Sequence, residues 1–252
     1  MTNEIAVSVD HFYAAYGSNI ILDNISFDIP TGSIFMIVGP SGCGKSTLLN
    51  HLIGLKRPAA GDILILGKEL TTAEEQDRLD VLKHIGVTYQ SGALFGSMTL
   101  LENTRLPLEE WTDLPSDAID QIAMNKLSLV GLENFANHLP DQVSGGMQKR
   151  AAISRAMALD PDILFLDEPS AGLDPITSAE LDDLVLTLSQ QFGITFVIVS
   201  HELRSIFSIA DTVIVLKEKK IIARGNPKEL AKSQQPFVKQ FFNATANPSQ
   251  IT

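Results

Sequence analysis

Residues 39–47 read Gly39-Pro40-Ser41-Gly42-Cys43-Gly44-Lys45-Ser46-Thr47. They match the pattern G-x-x-x-x-G-K-[ST] of a phosphate-binding P-loop without a mismatch. The glycines allow a tight turn that brings backbone N–H groups close to anionic oxygens. Lys45 would place its charge on the β- and γ-phosphates of a nucleotide, and the Ser46 hydroxyl could bind Mg²⁺. The stretch therefore predicts a nucleotide-binding site.

The segments on either side of this P-loop fit the same interpretation. Residues 33–38 form an apolar run typical of a buried strand, and residues 46–55 are predicted to form a helix. Such a helix would direct its positive N-terminal end at the phosphates. The alternative is a glycine turn that merely joins a strand to a helix, but such a turn rarely supplies a lysine and two hydroxyls in register.

The composition limits the class of protein. The 252 residues are 44% hydrophobic and 19% charged, which is ordinary for a folded α/β protein. The formal net charge of −11 disfavours nucleic acid as a partner, because an acidic surface repels phosphate backbones. One cysteine allows no internal disulfide, which suits a reducing compartment. We find no signal peptide and no apolar run of about 20 residues that could span a bilayer, so we expect a cytoplasmic protein.

Apolar strands alternate with helices over most of the chain. Short strands predict an antiparallel β patch near the N-terminus, at 5–9, 25–29 and 62–68. Continuous apolar strands predict a parallel sheet covered on both faces, at 33–38, 85–89, 163–166, 194–199 and 212–216. We therefore predict the α/β class, with a P-loop NTPase core built on a mostly parallel sheet.

The strand signals stop between residues 91 and 157. Pro107, Pro115 and Pro140 separate segments with helical periodicity there. We predict a single domain with an inserted helical lobe at 91–157, a core at 1–90 and 158–232, and a C-terminal tail at 233–252. We expect the aromatic cluster of this tail to dock on a second copy of the chain, because it needs cover; its members are Phe237, Phe241 and Phe242.

Two carboxylates follow the predicted strand at 163–166. Asp167 could hold Mg²⁺ at the strand end, directly or through water. Glu168, one residue later, could polarise an attacking water. A pair of solvated carboxylates at a strand terminus is the alternative. The P-loop upstream favours the catalytic interpretation.

Ser144-Gly145-Gly146, called the signature segment below, opens another predicted helix at 149–158. Bare N–H groups and a hydroxyl at a helix N-terminus can bind an anion. An ordinary serine N-cap followed by flexible glycines is the structural alternative. An ATP held between the P-loop of one copy and the signature segment of another would make closure of the pair depend on ATP.

Six motifs in a fixed order resemble those of the ATP-binding subunits of ABC transporters, over the chain to about residue 232. They are the P-loop, Gln90, the signature segment, Asp167-Glu168-Pro169, Ser170-Ala171-Gly172-Leu173-Asp174 and His201. The resemblance implies a RecA-like core, ATP and Mg²⁺ as cofactors, and hydrolysis of ATP. It also implies a head-to-tail homodimer that sandwiches the nucleotide.

The resemblance further implies roles for single residues. Tyr16 would stack on adenine, although Tyr13 competes for this role and Tyr16 could instead be a core tyrosine of the antiparallel patch. Gln90 would bind Mg²⁺ or orient water and report on the membrane partner. His201 would hydrogen-bond the γ-phosphate and fix the attacking water. Asp174 would cross the dimer interface, although an N-cap of the following helix is a structural alternative. The implied catalytic residues are Lys45, Gln90, Glu168 and His201; the Mg²⁺ ligands are Ser46, Gln90 and Asp167; and the nucleotide-binding residues are Tyr16, Gly39, Pro40, Ser41, Gly42, Cys43, Gly44, Lys45, Ser46, Thr47, Ser144, Gly145, Gly146 and Asp174.

Two segments resemble a narrower branch, the ATPases of MCE-type (Mla-like) phospholipid transport systems of the bacterial envelope. They are residues 90–95 and 144–150, the latter with Met147 where the wider family has glutamine. This resemblance implies a multispanning permease as partner, together with an MCE-type periplasmic lipid carrier and a small STAS-domain subunit. It places the chain on the cytoplasmic face of the inner membrane. An apolar socket for a permease helix would be formed by Leu94, Phe95 and Met98.

Three alternatives share the catalytic motifs. The chain could serve an importer for a small polar solute, act as a soluble scaffold ATPase of the iron–sulfur assembly type, or act on DNA or ribosomes. The acidic composition argues against the last. For any of them, Cys43 lies among the phosphate-binding amides, so we expect ATP to protect its thiol from alkylation.

Overall fold

The computed structural model describes residues 4–243. Ten strands and nine α-helices occur in this part of the chain, together with short 3₁₀ turns at Glu133–Phe135 and Pro140–Gln142. In chain order the elements are β1 (Ile5–Tyr16), β2 (Asn19–Pro30), β3 (Ile34–Val38), α1 (Lys45–Leu52), β4 (Ala60–Ile65), β5 (Lys68–Glu69), α2 (Glu75–Leu82), β6 (Ile85–Thr88), α3 (Leu100–Trp111), α4 (Ser116–Leu129), α5 (Gly145–Ala156), β7 (Ile163–Asp167), α6 (Pro175–Phe192), β8 (Thr195–Val199), α7 (Leu203–Ile209), β9 (Thr212–Lys217), β10 (Lys220–Gly225), α8 (Pro227–Leu230) and α9 (Pro236–Asn243).

The strands form two sheets. A four-stranded antiparallel sheet has the order β2-β1-β4-β5, and it contains the N-terminal patch predicted from the sequence. A six-stranded sheet has the order β10-β9-β3-β8-β7-β6 and is parallel except for its edge strand β10. The predicted α/β class with a mostly parallel sheet is therefore confirmed.

The order of the parallel strands creates the site. Strands β3, β8, β7 and β6 are neighbours, and parallel strands end at the same edge of a sheet. The segments that follow them carry the P-loop, His201, Glu168 and Gln90, respectively. Four motifs that are far apart in the sequence are thus collected at one edge by the topology alone.

The central sheet separates two apolar cores because alternate residues of each strand face opposite sides. Phe35 and Ile37 of β3 point toward the antiparallel sheet and α1, whereas Met36 and Val38 point toward the other core. That second core includes buried residues of α6, α7 and α9. Burial on both faces explains why these strands read as continuous apolar runs.

Residues 91–157 contain only helices and turns as regular structure, namely α3, α4, α5 and the two 3₁₀ turns. A small apolar cluster joins α3 and α4 to Ala158, which follows α5; Leu108, Ile119 and Ala123 are its other buried members. Pro107 lies inside α3 and does not separate two helices, which corrects the prediction. A proline removes one helical hydrogen bond, and burial of the adjacent Leu108 favours continuation of the helix. The division into core, lobe and tail stays a prediction.

The aromatic cluster of the tail packs on its own chain, so the prediction that it docks on a second copy is wrong. Val238 and Phe242 of α9 are 0% and 2% exposed and belong to the same core as α6 and α7. The rings of Phe207 and Phe242 meet edge to face, with centroids 5.8 Å apart. The four-residue spacing places Val238 and Phe242 on one face of α9, and α7 supplies the cover. Residues 244–252 of the predicted tail lie outside the described residues.

Within residues 4–243, none of the helices combines the length and the apolar character needed to cross a bilayer.

Candidate functional site

The P-loop connects β3 to α1, as the sequence predicts. Lys45 Nζ donates to the backbone oxygens of Gly39, at 2.8 Å, and Pro40, at 3.2 Å. The lysine is thereby held across the mouth of its own loop, where its charge faces the space that phosphates would enter. An ammonium group in this position attracts anions from the solvent.

Gly39 shows why the loop needs glycine. A Cβ at this position would lie 2.3 Å from the backbone oxygen of Leu216 and 2.8 Å from Cys43 Sγ. Its φ of 150° also falls in a region that other residues rarely adopt. Substitution would therefore displace β9 or the loop itself. Burial raises the pKa of the nearby Cys43 thiol.

Asp167 ends β7 and carries an unsatisfied carboxylate oxygen. Its Oδ1 is buried and has no hydrogen-bond partner among the described residues. Burial and the neighbouring Glu168 raise the pKa of Asp167, while the charges of Lys45 and Lys149 lower it. A buried oxygen without a partner is costly unless a cation completes the site. The residue is therefore chemically suited to Mg²⁺.

Gln90, another proposed metal ligand, lies near Asp167. Asp167 and Gln90 line one open cavity of about 490 Å³, together with Tyr89, Ser91, Ala171 and Gly172. Among residues 4–243 there is no group of three or more His, Cys, Asp or Glu side chains that could hold a metal alone. Mg²⁺ commonly takes one or two protein carboxylates and completes its shell with phosphates and water. This donor set therefore suits an ion that is shared with a nucleotide.

Glu168 and His201 form a pair at the adjacent strand ends. His201 Nδ1 lies 2.5 Å from Glu168 Oε2, and the backbone N–H of Glu168 donates to the Val199 oxygen at 2.9 Å. The side chain of His201 is 63% exposed, whereas that of Glu168 is 16% exposed. Glu168 adopts a φ of 49°, which is unusual for a residue with a side chain and often accompanies functional sites. A carboxylate held by an imidazole in this way can act on water.

Gln90 lies in an exposed loop, and its backbone is held from α5. Lys149 Nζ donates to the Gln90 carbonyl oxygen. Arg155, further along α5, donates to the carbonyls of Ala93 at 2.7 Å and Gly92 at 3.0 Å. Sequence reasoning missed both cations. The only available signal was their position on the helix that follows the signature segment.

The signature segment begins α5, and its two glycines differ. The Ser144 hydroxyl accepts from the Met147 N–H at 3.3 Å, so the N-cap alternative is present in the structure. A Cβ at Gly146 would lie 2.4 Å from Thr177 Cγ2 of α6, whereas a Cβ at Gly145 would meet only Leu173 at 3.8 Å. Gly146 is therefore needed for packing within the chain. Gly145 and Ser144 face open solvent.

The structure brings Tyr16 to the helix that follows the P-loop. Its hydroxyl lies 2.7 Å from Lys56 Nζ and within hydrogen-bonding range of Thr47. The hydrogen bond with Lys56, followed by that with Thr47, lowers the pKa of the Tyr16 phenol. The side chain is exposed, whereas the competing Tyr13 is partly buried. An exposed ring beside the P-loop helix is compatible with stacking on a base.

Asp174 caps the N-terminus of α6 and is not among the residues that line the cavity of Asp167 and Gln90. Its carboxylate accepts from the N–H groups of Ile176 at 2.9 Å and Thr177 at 3.1 Å, and from the Thr177 hydroxyl. The hydroxyl of Thr177, then its N–H, lowers the pKa of Asp174. The structural alternative is thus present. A contact with a second copy stays a prediction.

Comparison with known proteins identifies the family. The sequence profile of the ABC transporter family matches residues 22–171. The chain is 41% identical to the "Intermembrane phospholipid transport system ATP-binding protein MlaF" of Escherichia coli (strain K12), over 92% of this chain and 86% of the relative. It is 39% identical to the "Probable ribonucleotide transport ATP-binding protein mkl" of Mycobacterium leprae (strain TN), over 95% of this chain and 69% of the relative.

Solved structures give the same result. A dimeric ATP-binding cassette in a post-hydrolysis state bound to ADP and Pi is 31% identical, with a TM-score of 0.79 over 87% of this chain and 98% of that chain. The protein cbiO1 of Clostridium perfringens, part of an ABC transporter complex, is 29% identical, with a TM-score of 0.85 over 96% and 95%. The predicted fold, the binding of ATP and its hydrolysis are confirmed. The chain belongs to the ABC transporter family, as an ATP-hydrolysing subunit.

Proposed function

We propose that this ABC ATPase works as a homodimer and drives phospholipid transport across a bacterial envelope through a membrane permease. The observation that carries the proposal is the 41% identity to the phospholipid transport ATPase, which extends over 92% of this chain. Residues 90–95 and 144–150, which resemble the MCE-type branch, lie next to each other where Lys149 contacts Gln90.

Each residue of the P-loop side has a role in hydrolysis that follows from its position. Lys45 binds the β- and γ-phosphates, and Ser46, Gln90 and Asp167 would hold Mg²⁺. Mg²⁺, when bound with the nucleotide, neutralises charge on the phosphate oxygens. Glu168 polarises the attacking water, and His201 orients Glu168 and hydrogen-bonds the γ-phosphate. Two observations support these roles: an Asp167 oxygen without a hydrogen-bond partner in the described part of the chain, and the 2.5 Å contact between His201 and Glu168.

The second copy completes the site. No hydrogen bond among the described residues joins the signature segment to the P-loop of the same chain. Ser144 and Gly145 are exposed, at the positive end of a 12-residue helix. In a head-to-tail pair, Ser144 and Gly145 of one copy bind the phosphates that the P-loop of the other copy holds. Tyr16 stacks on the adenine, and Asp174 lies at the interface. The dimeric cassettes among the similar structures support this arrangement.

The membrane partners of this chain are those of the MCE-type branch that its sequence resembles. A multispanning permease docks beside Gln90, where Phe95 is 52% exposed and Leu94 is partly buried. An MCE-type periplasmic lipid carrier and a small STAS-domain subunit complete the system. The chain therefore works on the cytoplasmic face of the inner membrane.

Ribonucleotide transport is the second candidate, because the mycobacterial relatives carry that name. The chain covers 69% of the Mycobacterium leprae protein but 86% of the Escherichia coli protein. The chain covers a larger fraction of the phospholipid transport ATPase, which favours phospholipid transport over ribonucleotide transport.

The test is purification of the tagged chain from the membranes of its native cells. We expect a permease to be retained, extractable phospholipid in the complex, and ATP hydrolysis that phospholipid vesicles stimulate and free ribonucleotides do not. A Glu168→Gln complex should retain the same partners without hydrolysis. Stimulation by ribonucleotides alone would support the second candidate, and recovery without any membrane subunit would contradict both.

A further inference from the structure

Two cations on α5 hold the loop that carries Gln90. Lys149 binds the carbonyl of Gln90, and Arg155 binds those of Gly92 and Ala93. The residues joined by these bonds are 59 to 63 positions apart in the sequence. We call Lys149 and Arg155 the α5 clamp and residues 90–93 the clamped loop.

The clamped loop has a backbone shape that presents its carbonyls to the helix. Gly92 and Ala93 have φ values of 75° and 48°, and the Gly92 N–H donates to the Tyr89 oxygen at 2.7 Å. A left-handed conformation is unfavourable for alanine, and hydrogen bonds from charged donors are stronger than those from neutral donors. The bonds from α5 therefore help to maintain this conformation.

The same helix carries the signature segment at its other end. Lys149 follows Ser144 by five residues, which corresponds to about 7.5 Å along a rigid helix. A continuous helix therefore joins Lys149, which holds the clamped loop, to Ser144. A third cation of α5, Arg150, points elsewhere and pairs with Glu180 of α6 at 2.9 Å.

Lys149 also lies close enough to Asp167 and Glu168 for their charges to act on it. Burial lowers the pKa of Lys149, and the charges of Asp167 and Glu168 oppose that effect. The ammonium group therefore lies within electrostatic range of both carboxylates while it binds the Gln90 carbonyl. Lys149 thus contacts the clamped loop and belongs to the signature helix.

We infer that Lys149 and Arg155 are positioning residues that couple the loop of Gln90 to the signature segment of the same chain. Because that segment completes the site of the partner copy, the clamp links each ATP site to the other. The inference rests on the proposed homodimer but does not depend on the transported substrate. A merely structural clamp would instead stabilise the fold without an effect on turnover.

The experiment compares Lys149→Met and Arg155→Met with Lys149→Arg and with the control Arg150→Met. The control removes a cation from the same helix without touching the clamped loop. The full-length protein is measured for ATP affinity, kcat, KM, thermal midpoint and amide hydrogen exchange at residues 90–96.

We expect Lys149→Met to lower kcat at least tenfold, with ATP affinity of the monomer and the thermal midpoint close to parental values. Exchange at 90–96 should accelerate. Lys149→Arg should recover most of kcat, and Arg150→Met should retain it. An unchanged kcat in both methionine variants would overturn the inference, and so would a loss in Lys149→Met that Lys149→Arg fails to repair. If the parental protein showed no ATP-dependent dimer, the proposed homodimer would fail independently of these comparisons.

Discussion

The P-loop side and the signature side, which we propose bind one shared nucleotide, are built in different ways. The P-loop side is preformed within one chain: Lys45 is held at 2.8 Å from the Gly39 carbonyl, and Asp167 is partly buried beside it. The signature side is an exposed helix end with no hydrogen bond to the P-loop among the described residues. Under the proposed function, one chain binds ATP, and two chains are needed to position it for hydrolysis.

Glu168→Gln should have the largest effect, because it should abolish hydrolysis while ATP binding persists. The amide keeps the shape of the side chain but cannot accept a proton from water. We expect kcat to fall by about 10²–10⁴-fold, while ATP affinity persists and an ATP-bound dimer accumulates. Size-exclusion chromatography and a phosphate-release assay measure both effects. Glu180→Gln, on an exposed face of α6, is the matched control. Turnover at the parental rate would remove Glu168 from its role.

Lys45→Ala should weaken the P-loop side itself. Removing charge-assisted hydrogen bonds to the phosphates should raise the Kd for ATP by about 10–100-fold. Titration with a fluorescent ATP analogue checks this in the monomer, with Lys228→Ala as the surface control. Unchanged affinity would mean that the P-loop does not bind the phosphates through Lys45.

Asp182→Asn should change the stability of α6, the helix that packs against Gly146 of the signature segment. Asp182 is 7% exposed, and burial raises the pKa of its carboxyl from 3.8 to about 6. The folded protein therefore keeps this proton between about pH 4 and pH 6, where the unfolded chain loses it. Stability should fall as pH rises through this window, and the penalty should remain above pH 6.

The asparagine variant should accordingly be more stable at pH 7.5, by about 1–3 kcal/mol, and the gain should vanish below about pH 4. Denaturant titrations of both proteins across pH 4–8 measure the difference. A gain that is equal at all pH values would show that the charge of Asp182 is not its source.

Cys43 gives the smallest expected effect. Burial raises the pKa of its thiol, so alkylation at neutral pH should be slow and should accelerate as pH rises. ATP on the P-loop should slow the reaction further. Mass spectrometry of iodoacetamide-treated protein with and without ATP checks this expectation. Equal labelling in the two samples would show that the nucleotide does not cover the thiol.

Local sequence patterns were sufficient to predict the strands of the P-loop side and the motif residues at the ends of these strands. The strands β3, β7 and β8 are apolar runs because both faces of their sheet are buried, and the motif residues follow at the strand ends. The positive φ of Glu168 could not be predicted, because a carboxylate gives no sign of a left-handed backbone. The pairing of His201 with Glu168 depends on strand order, which the sequence alone does not specify.

Long-range contacts were harder to predict. The sequence shows the apolar residues Val238 and Phe242 of α9, but a helical pattern does not specify the surface against which they pack. That surface is α7 of the same chain. Lys149 and Arg155 likewise look like solvated charges on an ordinary helix. Their role becomes apparent only when the loop at 90–93, about 60 residues earlier, is folded against them.

The most direct test of the shared site mixes two inactive variants. Lys45→Ala disables the P-loop side, and Gly145→Asp disables the signature side with a side chain that its own chain has room for. Neither homodimer should hydrolyse ATP, although Gly145→Asp should still bind it. In the mixed dimer one site retains an intact P-loop and an intact signature segment, so ATPase activity should appear on mixing. If the mixture of the two folded variants stays as inactive as each alone, the two halves do not come from different chains.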